Sequence, residues 1–305
     1  MKAVVYEKYG PPEVLTVREI TRPAPKNKEI LVKIMATTVS AGDWRMRKAD
    51  PFLVRLFNGL LKPRRVKILG FEIAGVVEGV GKDVKAFEIG DAVFASCGLN
   101  FGGYAEYVCL PENHLIAKKP FNMTFAEAAS VPIGGLTAFR FLKQSQLKAG
   151  ERILIFGASG SVGTFAVQIA KYFGAEVTGV CSTSNIELVK TLGAINVVDY
   201  TREDIKHSGT FDVVFDAVGK LKNYEAKSLI KRNGRYVTVS RTPKENPDDL
   251  TQLKELIEAG VLRTVIDRTY SLDQIRDAHA YVETFRKKGN VIINVASPTI
   301  QNELR

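Results

Sequence analysis

The stretch Ile153-Leu-Ile-Phe-Gly-Ala-Ser-Gly-Ser-Val-Gly163 constrains this chain more than any other. Four apolar residues, Ile153 to Phe156, run without alternation, the pattern of a strand buried on both faces of a parallel sheet. Gly157, Gly160 and Gly163 follow at G-x-x-G-x-x-G spacing. Val162, Phe165, Ala166, Ile169 and Phe173 then recur at helical spacing, and Gly174 stands where a helix C-cap belongs. Strand, glycine turn and helix make the first half of a βαβ unit. A helix N-terminus offers N–H groups and a partial positive charge, so Ser159, Gly160, Ser161 and Val162 are expected to hold a pyrophosphate.

That spacing alone is a weak sign, because any tight turn can carry it. Its surroundings add to it. Glu176-Val-Thr-Gly-Val-Cys181 reads as a second buried strand inside the roughly 30 residues a βαβ unit needs. Asn196-Val-Val-Asp-Tyr200, Phe211-Asp-Val-Val-Phe-Asp216 and Gly234-Arg-Tyr-Val-Thr-Val-Ser240 continue the alternation of strand and helix. The expectation is an α/β fold whose doubly wound parallel sheet binds a dinucleotide. The end of the second strand selects which one. A carboxylate there would bond the ribose 2′-OH and favour NAD. This chain has Cys181-Ser-Thr-Ser-Asn185, and the nearest acid in sequence, Glu187, falls in the following helix. Ser182, Thr183 and Asn185 are small donors for a 2′-phosphate with no carboxylate to repel it, so NADPH is the expected cofactor. The same residues also suit the cap of the helix that begins there.

A chain of 305 residues is long enough for two domains with separate cores. Its formal charge is +10, from 43 Lys and Arg against 33 Asp and Glu. That balance suits an anionic cofactor, and also nucleic acid. The cations are scattered, however. The densest runs, Lys62-Pro-Arg-Arg-Val-Lys67 and Arg286-Lys-Lys288, have no interleaved aromatic residues, so a solvated basic surface and no nucleic-acid partner are expected. Cys97, Cys109 and Cys181 stand far apart and outside C-x-x-C spacing, as in a reducing compartment. The N-terminal apolar stretch is too short for a signal peptide, and no run of about eighteen apolar residues exists. A cytoplasmic protein with no membrane partner is expected.

Residues 1–125 read as β-rich, with short Val-, Ile- and Tyr-rich segments between Gly and Pro clusters, as in a twisted barrel or paired sheets. Gly70, Gly75, Gly79 and Gly81 crowd one region, as at corners or bulges. Thr124-Phe-Ala-Glu127 and Ser271-Leu-Asp-Gln274 have the form of capping boxes. Pro132-Ile-Gly-Gly-Leu-Thr-Ala138 reads as an interruption between two helices. Gly289-Asn-Val-Ile-Ile-Asn-Val295 reads as a last strand that rejoins the first domain. The expected division is 1–125 with 266–305 against 126–265.

The order of motifs resembles that of the medium-chain dehydrogenase/reductase superfamily, which includes zinc alcohol dehydrogenases and quinone oxidoreductases. The residues that carry the likeness are Gly70-Phe-Glu-Ile-Ala-Gly75, Gly81-Lys-Asp-Val84 leading to Ile89-Gly-Asp-Ala-Val93, Gly103-Tyr-Ala-Glu-Tyr107, Gly134-Gly-Leu-Thr-Ala138, Gly157 to Gly163 and Asp216-Ala-Val-Gly219. The resemblance implies a GroES-like catalytic domain completed by the C-terminal tail, a Rossmann domain inserted in it, and an active site in the cleft between them. Zinc relatives carry a Cys three residues before an Asp, then G-H-E, then a Cys or acid near the glycine–threonine segment. Here Ser40 stands three before Asp43, Phe71 replaces the histidine, and Ile133 or Gly134 stands near the third place. None of these ligates zinc well. The implied branch is therefore the zinc-independent one, with no metal site.

Without a Lewis acid, ketone reduction lacks its alkoxide stabiliser. Hydride delivered to a quinone or a conjugated enone instead leaves a delocalised anion that hydrogen-bond donors and water can protonate. The expected activity is NADPH-dependent reduction of a quinone or an α,β-unsaturated carbonyl. The alternatives are an NAD(P)-dependent alcohol or aldehyde dehydrogenase-reductase, or a non-catalytic NADPH-binding sensor or structural protein. By the same resemblance Ser40, Asp43 and Trp44 stand near the nicotinamide. Thr137 and Asn290 contact its end of the cofactor, Tyr200 lies against the adenine ribose phosphate, and Ala217, Val218, Val239, Ser240 and Arg241 line the remainder. After Ser240 roughly thirty residues that relatives possess are missing, more than loop variation covers. A Rossmann sheet shortened to about five strands is expected, and with it a monomer or a homodimer built through an atypical interface.

Overall fold

The structure is a computed structural model that describes residues 1–241, 246 and 248–296. Two compact units divide the chain, Met1–Pro132 with Ile266–Arg305 and Ile133–Val265.

The first unit opens with an antiparallel pair, β1 (Lys2–Val5) and β2 (Thr16–Glu19). Its main sheet is organised on β3 (Glu29–Thr38), a nearly continuous apolar strand. One edge of β3 bonds β4 (Glu72–Val80), which pairs with β5 (Ala92–Ser96), which pairs with β7 (Ile116–Lys118). The other edge bonds β6 (Tyr107–Pro111) along residues 29–33. The register of β3 against β4 shifts twice, and a Cβ on Gly75 would overlap the Lys33 carbonyl oxygen, so only glycine lets the two strands bend together there. Two helices, α1 (Ala41–Lys48) and α2 (Val54–Asn58), fill the connection from β3 to β4. Next comes α3 (Phe125–Ala129), whose capping box is formed by Thr124 and Glu127. It packs on β3 and β4, which moves the start of the second unit from residue 126 to residue 133.

Pro132 does not interrupt a helix; α4 (Val131–Gln144) begins one residue before it. Proline at the first turn removes an N–H that has no intrahelical acceptor anyway, so it starts a helix without cost. The second unit then alternates: β8 (Arg152–Phe156), α5 (Ser161–Tyr172), β9 (Glu176–Cys181), α6 (Ile186–Thr191), β10 (Asn196–Asp199), β11 (Phe211–Asp216), α7 (Asn223–Leu229), β12 (Ile230–Thr238) and α8 (Asp249–Glu258). All five strands pair parallel, in the order β10-β9-β8-β11-β12. The sheet is thus five-stranded among the described residues. A bulge marks β12, where Asn233 takes a left-handed φ of 70° and the register on β11 slips. Residues 242–245 and 247 of the shortened connection lie outside the described residues. The chain returns to the first unit with β13 (Ile266–Ser271), α9 (Ile275–Glu283) and β14 (Asn290–Asn294), and β14 pairs antiparallel with the end of β3. No helix among the described residues is long and apolar enough to cross a membrane.

Within the second unit α4 and α8 are joined by a buried ion pair: Arg140 Nε donates to Asp249 Oδ2 at 2.9 Å, and Lys143 Nζ reaches Oδ1 at 3.2 Å. Arg140 also donates to the Asn246 carbonyl at 3.2 Å. Asp249→Ala leaves a buried guanidinium without its counter-charge and is expected to destabilise this unit by about 3 kcal/mol. Chemical denaturation of the variant against the parent protein checks this.

Candidate functional site

In an open parallel sheet, ligands bind beyond the carboxyl ends of the strands where the strand order reverses. Here the reversal lies between β8 and β11. Gly157, just after β8, has φ 80°, and its N–H bonds the Val180 carbonyl at 3.1 Å. Any Cβ on Gly157 would overlap Val218, and one on Gly163 would overlap the Gly157 carbonyl. Gly163 therefore lets α5 start close against the strand end, and Gly157 makes room for Val218 in the loop after β11. Gly160 is its N-cap and offers no side chain, which leaves the helix N-terminus open to a ligand. Ser159, Gly160, Ser161 and Val162 all lie in this turn or the first turn of α5.

The loops after the other four strands stand at the same edge. Asn185, buried in the turn after β9, donates through Nδ2 to Ser159 Oγ at 3.1 Å and to Ser182 Oγ at 3.2 Å. Because both serine oxygens accept from Asn185, their own hydrogens point away from it. Asn185 Oδ1 is a buried acceptor with no hydrogen-bond partner. A buried polar atom left unpaired is costly unless a ligand completes it. After β11, the buried carboxylate of Asp216 accepts from the N–H groups of Val218 (3.0 Å), Gly219 (2.8 Å) and Leu221 (2.9 Å), which shapes the loop carrying Ala217 and Val218. Val239, Ser240 and Arg241 follow β12, with the Ser240 hydroxyl 3.5 Å from the Gly219 carbonyl. Tyr200 follows β10; its N–H bonds the Cys181 carbonyl at 3.1 Å and its side chain is exposed.

Two expectations need correction here. The turn after β9 is not free of carboxylates: Asp199, the last residue of β10, is brought beside it by the parallel pairing of the two strands. And Thr183 is not a spare donor, because its hydroxyl is hydrogen-bonded to Asp199. Thr201 gives the same carboxylate a hydroxyl bond at 2.6 Å and an N–H bond at 3.0 Å. These bonds, with Thr183 first, hold the Asp199 carboxyl below its usual range. The sequence signal was Asp199 itself, which aligns with Cys181 once the strands are paired. Thr137 sits half-buried in the middle of α4. Asn290 belongs to the first unit, buried at the first position of β14.

The first unit holds its own polar cluster. Ser40 caps α1, and its hydroxyl and N–H both donate to Asp43 Oδ2, at 2.6 and 2.8 Å. The Gly70 N–H donates to Oδ1 at 2.8 Å, and the Tyr104 hydroxyl also bonds this carboxylate. Asp43 is fully buried, and burial pushes its carboxyl up to about 6 against the pull of those donors. Behind Tyr104 lies His279, fully buried, with Nε2 3.1 Å from the tyrosine oxygen. Arg47 Nε faces His279 Nδ1 at 3.3 Å. A guanidinium only donates, so Nδ1 accepts and Nε2 carries the hydrogen towards Tyr104. Burial, then Arg47, push His279 down to about 3, and it is neutral. Arg47 completes its bonds on the Gly10 carbonyl at 2.6 Å and on Glu283. Nearby, Thr38 Oγ1 donates to buried Glu72 at 2.5 Å, and burial lowers Lys287 to about 8 while Glu72 and Asp267 oppose it.

Trp44, expected at the nicotinamide, is 6% exposed, clusters with Tyr6, Leu69 and Val291, and stands edge-on to Phe285 at 5.7 Å. The sequence gives no local signal that joins Tyr104, His279 and Arg47. Only tertiary pairing across 175 and 232 positions of chain reveals them as one network.

The chain matches the family model for the alcohol dehydrogenase GroES-like domain over residues 26–120 and that for the zinc-binding dehydrogenase over residues 161–283. It is 34% identical over 316 residues to 2-methylene-furan-3-one reductase of Solanum lycopersicum, covering 96% of this chain and 79% of that protein. It is also 34% identical over 315 residues to the chloroplastic NADPH-dependent alkenal/one oxidoreductase of Arabidopsis thaliana, with coverage of 96% and 79%. A solved quinone oxidoreductase from Coxiella burnetii superposes with a TM-score of 0.89 at 29% identity, over 97% of this chain and 99% of that one. Two domain models in the expected order and relatives aligned along nearly the whole chain agree: the protein belongs to the medium-chain dehydrogenase/reductase superfamily, in its quinone oxidoreductase-like branch.

Proposed function

We propose that this protein is a zinc-independent reductase that uses NADPH to reduce a quinone or an α,β-unsaturated carbonyl. The observation that carries the cofactor reading is the Asn185 clamp. It occupies an acceptor site on the Ser159 and Ser182 hydroxyls, which leaves both hydroxyls as donors beside an open helix N-terminus, and leaves its own buried oxygen unpaired. These are donors suited to a phosphorylated ribose, and Asp199, the one carboxylate at this turn among the described residues, is capped by two threonines. Tyr200 supplies an exposed ring at the same edge. When bound, the nicotinamide supplies hydride. Relatives described as an alkenal/one oxidoreductase and a quinone oxidoreductase support the acceptor class.

The residues at the zinc positions of related enzymes, Ser40 and Phe71 among them, do not form a ligand set. Ser40 is then the donor for the oxygen that gains charge. Its hydrogen is held by Asp43 while that carboxylate is ionised. Once Asp43 takes a proton it can donate to Ser40 Oγ, which frees the serine hydroxyl to donate to substrate. Tyr6, Tyr104 and Cys97 are the titratable groups that feel the Asp43 charge. The cytoplasmic location and the monomer or atypical dimer remain part of this reading. Relatives described as chloroplastic or mitochondrial stand on the other side of the question of location.

Titration by intrinsic fluorescence is expected to show NADPH bound at least about tenfold more tightly than NADH, a difference of about 1.4 kcal/mol. Asn185→Ala should abolish most of that preference; tighter NADH binding by the parent protein would overturn the cofactor assignment. Because the Asp43 carboxyl is raised, it keeps its proton up to a pH of about 6 and loses it above. Turnover of a quinone or enone should therefore fall as pH rises through about 6, and Ser40→Ala should be slower and lack this step. Solution scattering showing a dimer joined edge to edge through the five-stranded sheets would contradict the proposed assembly.

A further inference from the structure

Residues 51–67 read Pro-Phe-Leu-Val-Arg-Leu-Phe-Asn-Gly-Leu-Leu-Lys-Pro-Arg-Arg-Val-Lys. They contain the cations Arg55, Lys62, Arg64, Arg65 and Lys67 and no Asp or Glu. In the same segment Phe52, Leu53, Leu56, Leu60 and Leu61 are 65%, 67%, 67%, 60% and 89% exposed. Other exposed large apolar residues of this unit, such as Ile89 and Leu99, stand singly along the chain. Single exposed apolar residues are ordinary, whereas a run of them rimmed by polar groups marks an interaction surface.

The exposure is built into the fold. Asn58 is buried, donates through Nδ2 to the Tyr6 hydroxyl at 2.8 Å and accepts at Oδ1 from the Val66 N–H at 2.7 Å. The Tyr9 hydroxyl donates to the Gly59 carbonyl at 2.7 Å, Arg55 Nη1 to the Leu60 carbonyl at 2.9 Å, and the Arg64 N–H to the Asn58 carbonyl at 2.7 Å. Gly59, at φ 117°, turns the chain so that Leu60 and Leu61 form the tip. Val54 and Phe57 are the apolar residues of α2 that pack against the core. Arg65 lies over the Phe57 ring at 4.3 Å, and Lys62, Arg64, Arg65 and Lys67 are exposed beside the leucines. The acid that senses Lys62 and Lys67 is Glu7, already paired with Arg18.

We propose that this face docks on an anionic lipid surface. Lipid phosphates would meet the cations while the leucines and Phe52 enter the acyl boundary, the arrangement that holds peripheral proteins in the interface plane. A second copy of the chain is the poorer occupant, since a self-complementary contact would bring two cationic segments with no acids of their own together. The expectation of no membrane partner rested on the lack of a spanning segment, and an interfacial tip needs far fewer residues. The proposal stands apart from the redox activity.

The test is cosedimentation of the full chain, at low salt, with vesicles of phosphatidylcholine containing about one-third phosphatidylglycerol. The parent protein is expected to pellet with them, to bind vesicles of phosphatidylcholine alone at least about tenfold more weakly, and to be released as salt screens the charges. The double variants Leu60→Ser/Leu61→Ser and Lys62→Glu/Arg64→Glu should each lose at least about tenfold in partitioning while keeping the parent melting temperature. Failure of the parent protein to pellet at low salt overturns the proposal, as does parent-like partitioning of both variants. A parent dimer that the leucine variant converts to a monomer also overturns it, by assigning the face to a second copy.

Discussion

The approach of α5 to the end of β8 is the constraint on which the second unit depends. No side chain fits between Gly163 and the Gly157 carbonyl, so the helix starts against the strand rather than a side chain's width away. That closeness sets where the first N–H groups of α5 point and where the turn leaves β8. The partner loops are then arranged by polar groups with no freedom to choose otherwise. Asp216 gathers three N–H groups after β11, Asn185 gathers two serine oxygens after β9, and Asp199 gathers two threonines after β10. Three of the five strand ends thus carry a polar knot, and β8 ends in the glycine turn.

The first unit solves a different problem. A carboxylate with no exposure would be expensive if left alone. Asp43 is surrounded by donors from its own helix cap, from the turn before β4 and from Tyr104. The orientation of every hydrogen in the chain behind it follows from one fact, that Arg47 cannot accept. Histidine, tyrosine and carboxylate then have one consistent arrangement while Asp43 is ionised, which makes Ser40 answer to a charge state.

Much of the second unit was legible in the sequence because its signals are local. The apolar runs of β8, β9 and β11 and the glycine spacing each span a few residues, and the missing stretch after Ser240 announced a five-stranded sheet. Local reading failed where the partner is remote. Asp199 is eighteen residues from Cys181 and adjacent to it in register. Trp44 is buried by apolar residues that α9 and β14 supply, a neighbourhood that its own stretch of sequence does not show. Pro132 looked like a break because its position in the helix, not its identity, decides what proline does.

The shortened connection after Ser240 also leaves β12 as the last strand of its sheet among the described residues. A terminal strand presents unsatisfied backbone groups on which a stranger's strand can template, the usual seed of aggregation. Lys231 and Arg235 on β12 are tied to Asp212 and Glu151 on the neighbouring chain segments, Arg232 is exposed, and the bulge at Asn233 kinks the rim. Charge tied down along β12 and a kinked rim are features that disfavour pairing with a foreign strand.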